Sequence, residues 1–105
     1  MWIFVIIKNI CNSKGKIQAE RNREMKEKIH ALTEEMLENM GKLVAIDSQL
    51  GTPEEGKPFG EGPAKALEEG LKIAEELGFK TVNLDNYCGY AEMGEGEEII
   101  GIAGH

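Results

Sequence analysis

The residues able to do chemistry in this 105-residue chain are few, and the last of them is the most suggestive. His105 ends the segment Gly101-Ile102-Ala103-Gly104-His105, two glycine-separated steps beyond an apolar run. Imidazole is the commonest metal ligand in proteins, and a glycine before it lets the backbone turn sharply toward a cleft. Open α/β sheets place their ligands just beyond the carboxyl ends of strands, where this residue is expected. Zinc nevertheless requires three or four ligands, and no partner stands near His105 at ligand spacing. By spacing alone it reads more readily as a terminal histidine without a role than as a ligand.

The other candidates are weaker. His30 lies among Glu27, Lys28 and Ile29 and reads as a solvated helix residue. Gly56-Lys57-Pro58-Phe59-Gly60-Glu61-Gly62-Pro63 has the glycine density of a phosphate-cradling loop. It lacks the terminal Gly-Lys-Ser/Thr and carries two prolines that remove N–H donors, so nucleotide binding is not expected. Glu92, Glu95, Glu97 and Glu98 lack the order of a calcium loop and read as a solvated connection. Cys88 has no basic neighbour in sequence to activate its thiol.

Charge and composition narrow the functional classes. Residues 1–24 hold five Lys/Arg against two Glu, whereas residues 25–105 hold seven Lys against seventeen Asp/Glu. An acidic body repels phosphate backbones, so nucleic acid is not an expected partner. The two cysteines, Cys11 and Cys88, stand far apart with no zinc-knuckle spacing, as suits a reducing cytoplasm. The apolar run Trp2–Ile7 is too short to span a bilayer and lacks the flanks of an export signal, so no membrane association is expected.

The elements that must position these residues follow from periodicity. Residues 1–10 are rich in β-branched and aromatic side chains and fit an additional leading strand. Met25, Ile29, Leu32, Met36, Met40 and Leu43 recur at spacings of three and four, which predicts one long amphipathic helix with a core-facing stripe. The glycines and prolines between Asp47 and Gly62 predict a long loop. A second helix is expected over 63–77, with Pro63 at its first position and Gly70 marking close packing against a neighbour. Val82 and Leu84 then alternate with polar residues, and Asp85-Asn86 supply a turn into a strand over 87–93. The run 97–103, with Ile99, Ile100 and Ile102, suits a strand buried on both faces. The fold class is α/β: two amphipathic helices followed by a three-strand segment of sheet.

From Met25 onward the chain resembles the start of a bacterial dipeptidase of the co-catalytic di-zinc metallopeptidase family, whose relatives include carnosinases, aminoacylases and succinyl-diaminopimelate desuccinylase. The resemblance runs through Leu43-Val44-Ala45-Ile46-Asp47-Ser48, then Pro58-Phe59-Gly60-Glu61-Gly62-Pro63 and Ala66-Leu67. It continues through Gly78-Phe79, Asp85-Asn86-Tyr87-Cys88-Gly89-Tyr90, Glu92-Met93-Gly94-Glu95-Gly96 and Ile100-Gly101-Ile102-Ala103-Gly104-His105. It covers 81 positions in order.

The resemblance implies that residues 25–105 are part of the sheet-bearing catalytic domain of a zinc peptidase and that 1–24 are an extension outside it. It makes His105, in the family's Gly-His-x-Asp pattern, a ligand to one of two zinc ions in the complete enzyme. That enzyme would hydrolyse dipeptides or N-acyl amino acids with a metal-activated water. The chain stops at His105, so the remaining ligands and the general base have no counterpart here. No tight zinc binding or catalysis is expected of the chain alone. A chain ending on the central strand of the sheet would also expose that strand's unpaired edge, so poor solubility or self-association is expected. A small non-catalytic α/β interaction module is the alternative.

Overall fold

The leading β-branched and aromatic run does form a strand, β1 (Trp2–Lys8), in the computed structural model, which describes residues 2–8 and 18–104. The elements that follow are α1 (Gln18–Ala31), α2 (Thr33–Val44), α3 (Glu61–Glu76), β2 (Lys80–Leu84), β3 (Cys88–Met93) and β4 (Ile99–Gly104). The strands make one mixed sheet in the order β2-β3-β1-β4. β1 runs parallel to β3, with Ile3 opposite Gly89 and Val5 opposite Ala91, and antiparallel to β4, with Ile3 opposite Gly104. β2 and β3 form an antiparallel hairpin. The leading segment, which the sequence leaves loosely attached, thus separates β3 from β4.

Alternation along the strands puts Ile3, Val5, Gly89, Ala91 and Ile102 on one face of the sheet. α3 packs on that face, and its buried residues Ala64, Ala66, Leu67, Leu71 and Ile73 form the core together with Ala91. Leu67 is fully buried, and such burial contributes about 1.5–3 kcal/mol. Gly89 is the floor beneath this helix: a Cβ there would lie 2.9–3.0 Å from methyl carbons of Leu67 and Leu71. Gly70 brings α3 close to β1, as its place in the helix suggests, since a Cβ there would stand 3.0 Å from the Ile3 Cδ1. On the other face of the sheet Phe4, Val82 and Leu84 are exposed.

Three expectations are corrected. The long helix is two, α1 and α2, separated at Leu32, whose N–H bonds the Ile29 carbonyl one residue short of helical spacing. No Gly or Pro marks that break. The apolar stripe is not core-facing: Met25, Ile29, Met36 and Met40 are all exposed, and α2 buries none of its residues. α2 leans on α3, and the stripe lines an open groove with Ile73 and Leu77 of α3 that leaves most of its apolar surface exposed. β4 is buried on neither face, since Ile99, Ile100 and Ile102 are 62%, 46% and 53% exposed. It is one of the two edge strands of the sheet and lies beyond the reach of α3, which packs over β2 and β3.

α3 begins two residues before Pro63, so that proline occupies its third position. The missing N–H is still one of the four that a helix start leaves unpaired.

Candidate functional site

The candidate ligand is approached along β4, whose last residue, Gly104, sits opposite Ile3, itself opposite Gly89, itself opposite Asn83. His105 follows and lies outside the described residues. Because β4 is antiparallel to β1, and β1 parallel to β3, the carboxyl end of β4 lies beside their amino ends. The rule that places ligands beyond the carboxyl ends of parallel strands therefore does not transfer to β4.

The end of the sheet where β4 finishes is built by local turn chemistry. Asp85 and Asn86 take left-handed backbone, with φ of 51° and 58°, which Asn and Asp tolerate better than other side chains. The Tyr87 N–H bonds the Leu84 carbonyl at 3.0 Å and closes the turn between β2 and β3. Asn86 then joins the turn to the glycine-rich loop. Its backbone N–H bonds the Asn83 Oδ1 at 2.8 Å, and its side-chain amide donates to the Gly56 carbonyl at 2.8 Å. Phe59 meets Tyr87 edge to face with ring centroids 5.7 Å apart.

The loop between α2 and α3 is itself ordered. The Gly51 N–H bonds the Phe59 carbonyl at 2.9 Å, and Glu54 and Lys57 exchange backbone bonds at 3.0–3.1 Å. Gly62 is required here, because a Cβ would fall 2.1 Å from the Asp47 carbonyl oxygen. The loop is thus a brace between α3 and the β2–β3 turn.

Lys57, Glu61 and Lys65 form a charge ladder along the start of α3, Glu61 bonding Lys57 and pairing with Lys65 at 3.2 Å. The Lys57 hydrogen bond, then that from Lys65, holds the Glu61 carboxyl below its usual range. The same bond to Glu61 holds the Lys57 ammonium above its usual value. Sequence reasoning missed this ladder, although its four-residue spacing is the available signal.

The other candidates do not assemble. His30 is exposed on α1. Cys88 is a free, half-buried thiol at the start of β3. Glu92 pairs with Lys8 across the sheet at 3.3 Å, while Glu95, Glu97 and Glu98 are exposed in the connection to β4. Among the described residues no group of three His, Cys, Asp or Glu side chains could hold a metal ion. The described residues by themselves therefore do not make a zinc site.

No family model matches the chain. Curated dipeptidases do match it, among them the following. "Putative dipeptidase YtjP" of Bacillus subtilis (strain 168) is 39% identical over 74 residues, 69% of this chain and 16% of its own length. The Beta-Ala-Xaa dipeptidase of Lactobacillus delbrueckii subsp. lactis is 38% identical over 82 residues, 76% of this chain and 17% of its own. A Staphylococcus aureus (strain USA300) protein, also named as a dipeptidase, is 34% identical over 82 residues, 76% of this chain and 18% of its own. The chain thus spans about a sixth of the length of the relatives it matches.

Proposed function

This chain is a homologue of the bacterial dipeptidases, and from that premise we propose that it carries the scaffold of a zinc-dependent dipeptidase leading up to its first metal ligand, His105. The identity to several dipeptidases over about three quarters of the chain carries this reading. Residues 25–105 are the partial catalytic domain, and 1–24 are an extension whose strand β1 completes the sheet. In the complete enzyme His105 would help hold a zinc ion, which would supply the Lewis acidity for hydrolysing the amide bond of a dipeptide or N-acyl amino acid. The residues of this chain contribute position: β4 carries the backbone to Gly104, and the Asn86–Gly56 bond braces the same end of the sheet. The compartment proposed is the cytoplasm. No helix among the described residues is long and apolar enough to cross a membrane.

A chimera tests the reading. Residues 25–105 replace the matching segment of the Lactobacillus Beta-Ala-Xaa dipeptidase, and hydrolysis of a β-Ala dipeptide is followed with zinc present. Activity is expected, together with its loss on His105→Ala. A folded chimera whose activity survives His105→Ala would refute the ligand assignment. The isolated chain should show no tight zinc stoichiometry, and sub-micromolar binding at two equivalents would contradict that expectation. The second reading, a non-catalytic interaction module, is favoured by the apolar surfaces of α1, α2 and β4. An inactive but folded chimera would support it.

A further inference from the structure

We propose that β1 is a removable wedge: when it leaves the sheet, β3 and β4 close on each other as a direct hairpin, in the register they already hold.

β3 ends at Met93, β4 begins at Ile99, and the two strands run antiparallel with β1 standing between them. Connections this short ordinarily join strands that pair with each other. Here the connection bridges two strand spacings, about 9–10 Å.

Register leaves only β1 to keep the two apart. Through Ile3, Gly89 stands level with Gly104; through Val5, Ala91 stands level with Ile102; through Ile7, Met93 stands level with Ile100. Continued by one step, Gly94 meets Ile99 and leaves Glu95-Gly96-Glu97-Glu98 as the turn, a common hairpin loop length. Side-chain faces agree, since Ala91 and Ile102 both share the face of Val5. Hydrogen-bonding groups agree as well. An antiparallel bond joins residues directly opposite, whereas a parallel bond joins a residue to the two neighbours of the one opposite. Successive residues of β1 turn their N–H and C=O alternately to β4 and to β3. Traced through β1, the residues by which β3 bonds it lie level with those by which β4 bonds it. β4 therefore needs a sideways move of one strand spacing, about 4.8 Å, without slip or flip.

The wedge is held by the Lys8–Glu92 ion pair at 3.3 Å and by Ile3 beneath Gly70. Its far end is crowded: a Cβ at position 94 would fall 2.3 Å from the Lys8 carbonyl oxygen, so only glycine admits β1 there. Closing the slot exchanges two ladders for one, so the wedged sheet predominates. In return, closure carries the half-exposed isoleucines of β4 toward α3. The geometry stands without the dipeptidase reading. On that reading, the strand leading to the proposed ligand moves by far more than the roughly 0.2 Å that metal–ligand distances tolerate, so β1 decides whether that strand is in place.

Disulfide trapping in the full chain, on a Cys11→Ser/Cys88→Ser background, tests the proposal. Tyr90→Cys/Ala103→Cys joins positions level through Phe4. With β1 in place they stand two strand spacings apart, beyond the roughly 7 Å that a disulfide spans, and after closure about 4.5–5.5 Å apart. Tyr90→Cys/Gly101→Cys lies on the same face but two residues out of register, and reports a β4 that is merely loose. The level pair is expected to oxidise at least about tenfold faster than the shifted pair. It should accelerate about tenfold again when Val5→Pro/Ile6→Pro removes one N–H from each side of β1. Equal rates for the two pairs, or a level pair indifferent to the prolines in a variant that circular dichroism shows to be folded, would overturn the proposal. Should the proline variant not fold, the comparison of the two pairs with β1 intact still decides it.

Discussion

Gly89→Ala sets two effects of known sign against each other at the centre of the core. In a strand interior, replacing glycine stabilises by roughly 0.5–1 kcal/mol through lost freedom of the unfolded chain. Here the new methyl carbon would stand 2.9 Å from Leu71 Cδ1, 3.0 Å from Leu67 Cδ1 and 3.0 Å from Leu71 Cδ2. Leu67 is 0% and Leu71 6% exposed, so neither can swing its methyls into solvent. Overpacking of this kind costs about 1–3 kcal/mol, which with the gain subtracted leaves a net loss of up to roughly 2.5 kcal/mol. Urea unfolding followed by circular dichroism measures it as a lower midpoint at unchanged slope. Leu71→Ala alone should cost about 2–5 kcal/mol. In the Gly89→Ala/Leu71→Ala double variant the methyl occupies part of the vacated space, so the combined loss should fall short of the sum by at least about 0.5 kcal/mol. A stabilising Gly89→Ala, or strict additivity, would refute the account of Gly89 as the floor beneath α3.

Gly62→Ala should be more severe, at least about 3 kcal/mol, because its Cβ would meet the Asp47 backbone oxygen at 2.1 Å and no rotamer can relieve that; loss of cooperative unfolding would register it. Glu61 has a lowered pKa, so its contribution to stability is complete above about 4.5 and disappears as pH falls through the lowered value. Lys57 has a raised pKa, and its contribution is complete below 10.5 and lost as pH rises through the raised value. Carboxyl carbon shifts should show the Glu61 midpoint moving back toward 4.5 in Lys57→Gln, and an unmoved midpoint would mean that Lys57 is not the main cause. Deleting residues 1–24 removes the strand between β3 and β4. Amide exchange would lose protection in β4 and at the β3 amides that face β1 if nothing took its place, while α3 and β2 keep theirs; retained protection in β4 is expected, with β3 as its other partner, and its loss would refute their closure.

Local signals were legible wherever the cause was local. Pro63 and the apolar spacing from Leu67 marked α3, Asp85-Asn86 marked a turn whose left-handed backbone those side chains tolerate, and Gly70 marked a close approach that proves to be with Ile3. The quoted motifs likewise carried the kinship with dipeptidases, because family identity resides in residue order. The candidate site was legible only as His105 and the strand before it. The brace of Asn86 on Gly56 joins residues thirty positions apart and has no sequence signature. Where each apolar pattern would find its cover was decided by tertiary structure alone. The isoleucines of β4 and the stripe on α1 and α2 carry the periodicity of buried elements, yet periodicity states only that a face is apolar. β4 stays exposed because α3 packs over β2 and β3 and does not reach it, and the α1–α2 stripe meets α3 only around Ile73 and Leu77. Burial depends on which surfaces meet, and that is fixed by contacts between segments that sequence spacing does not encode.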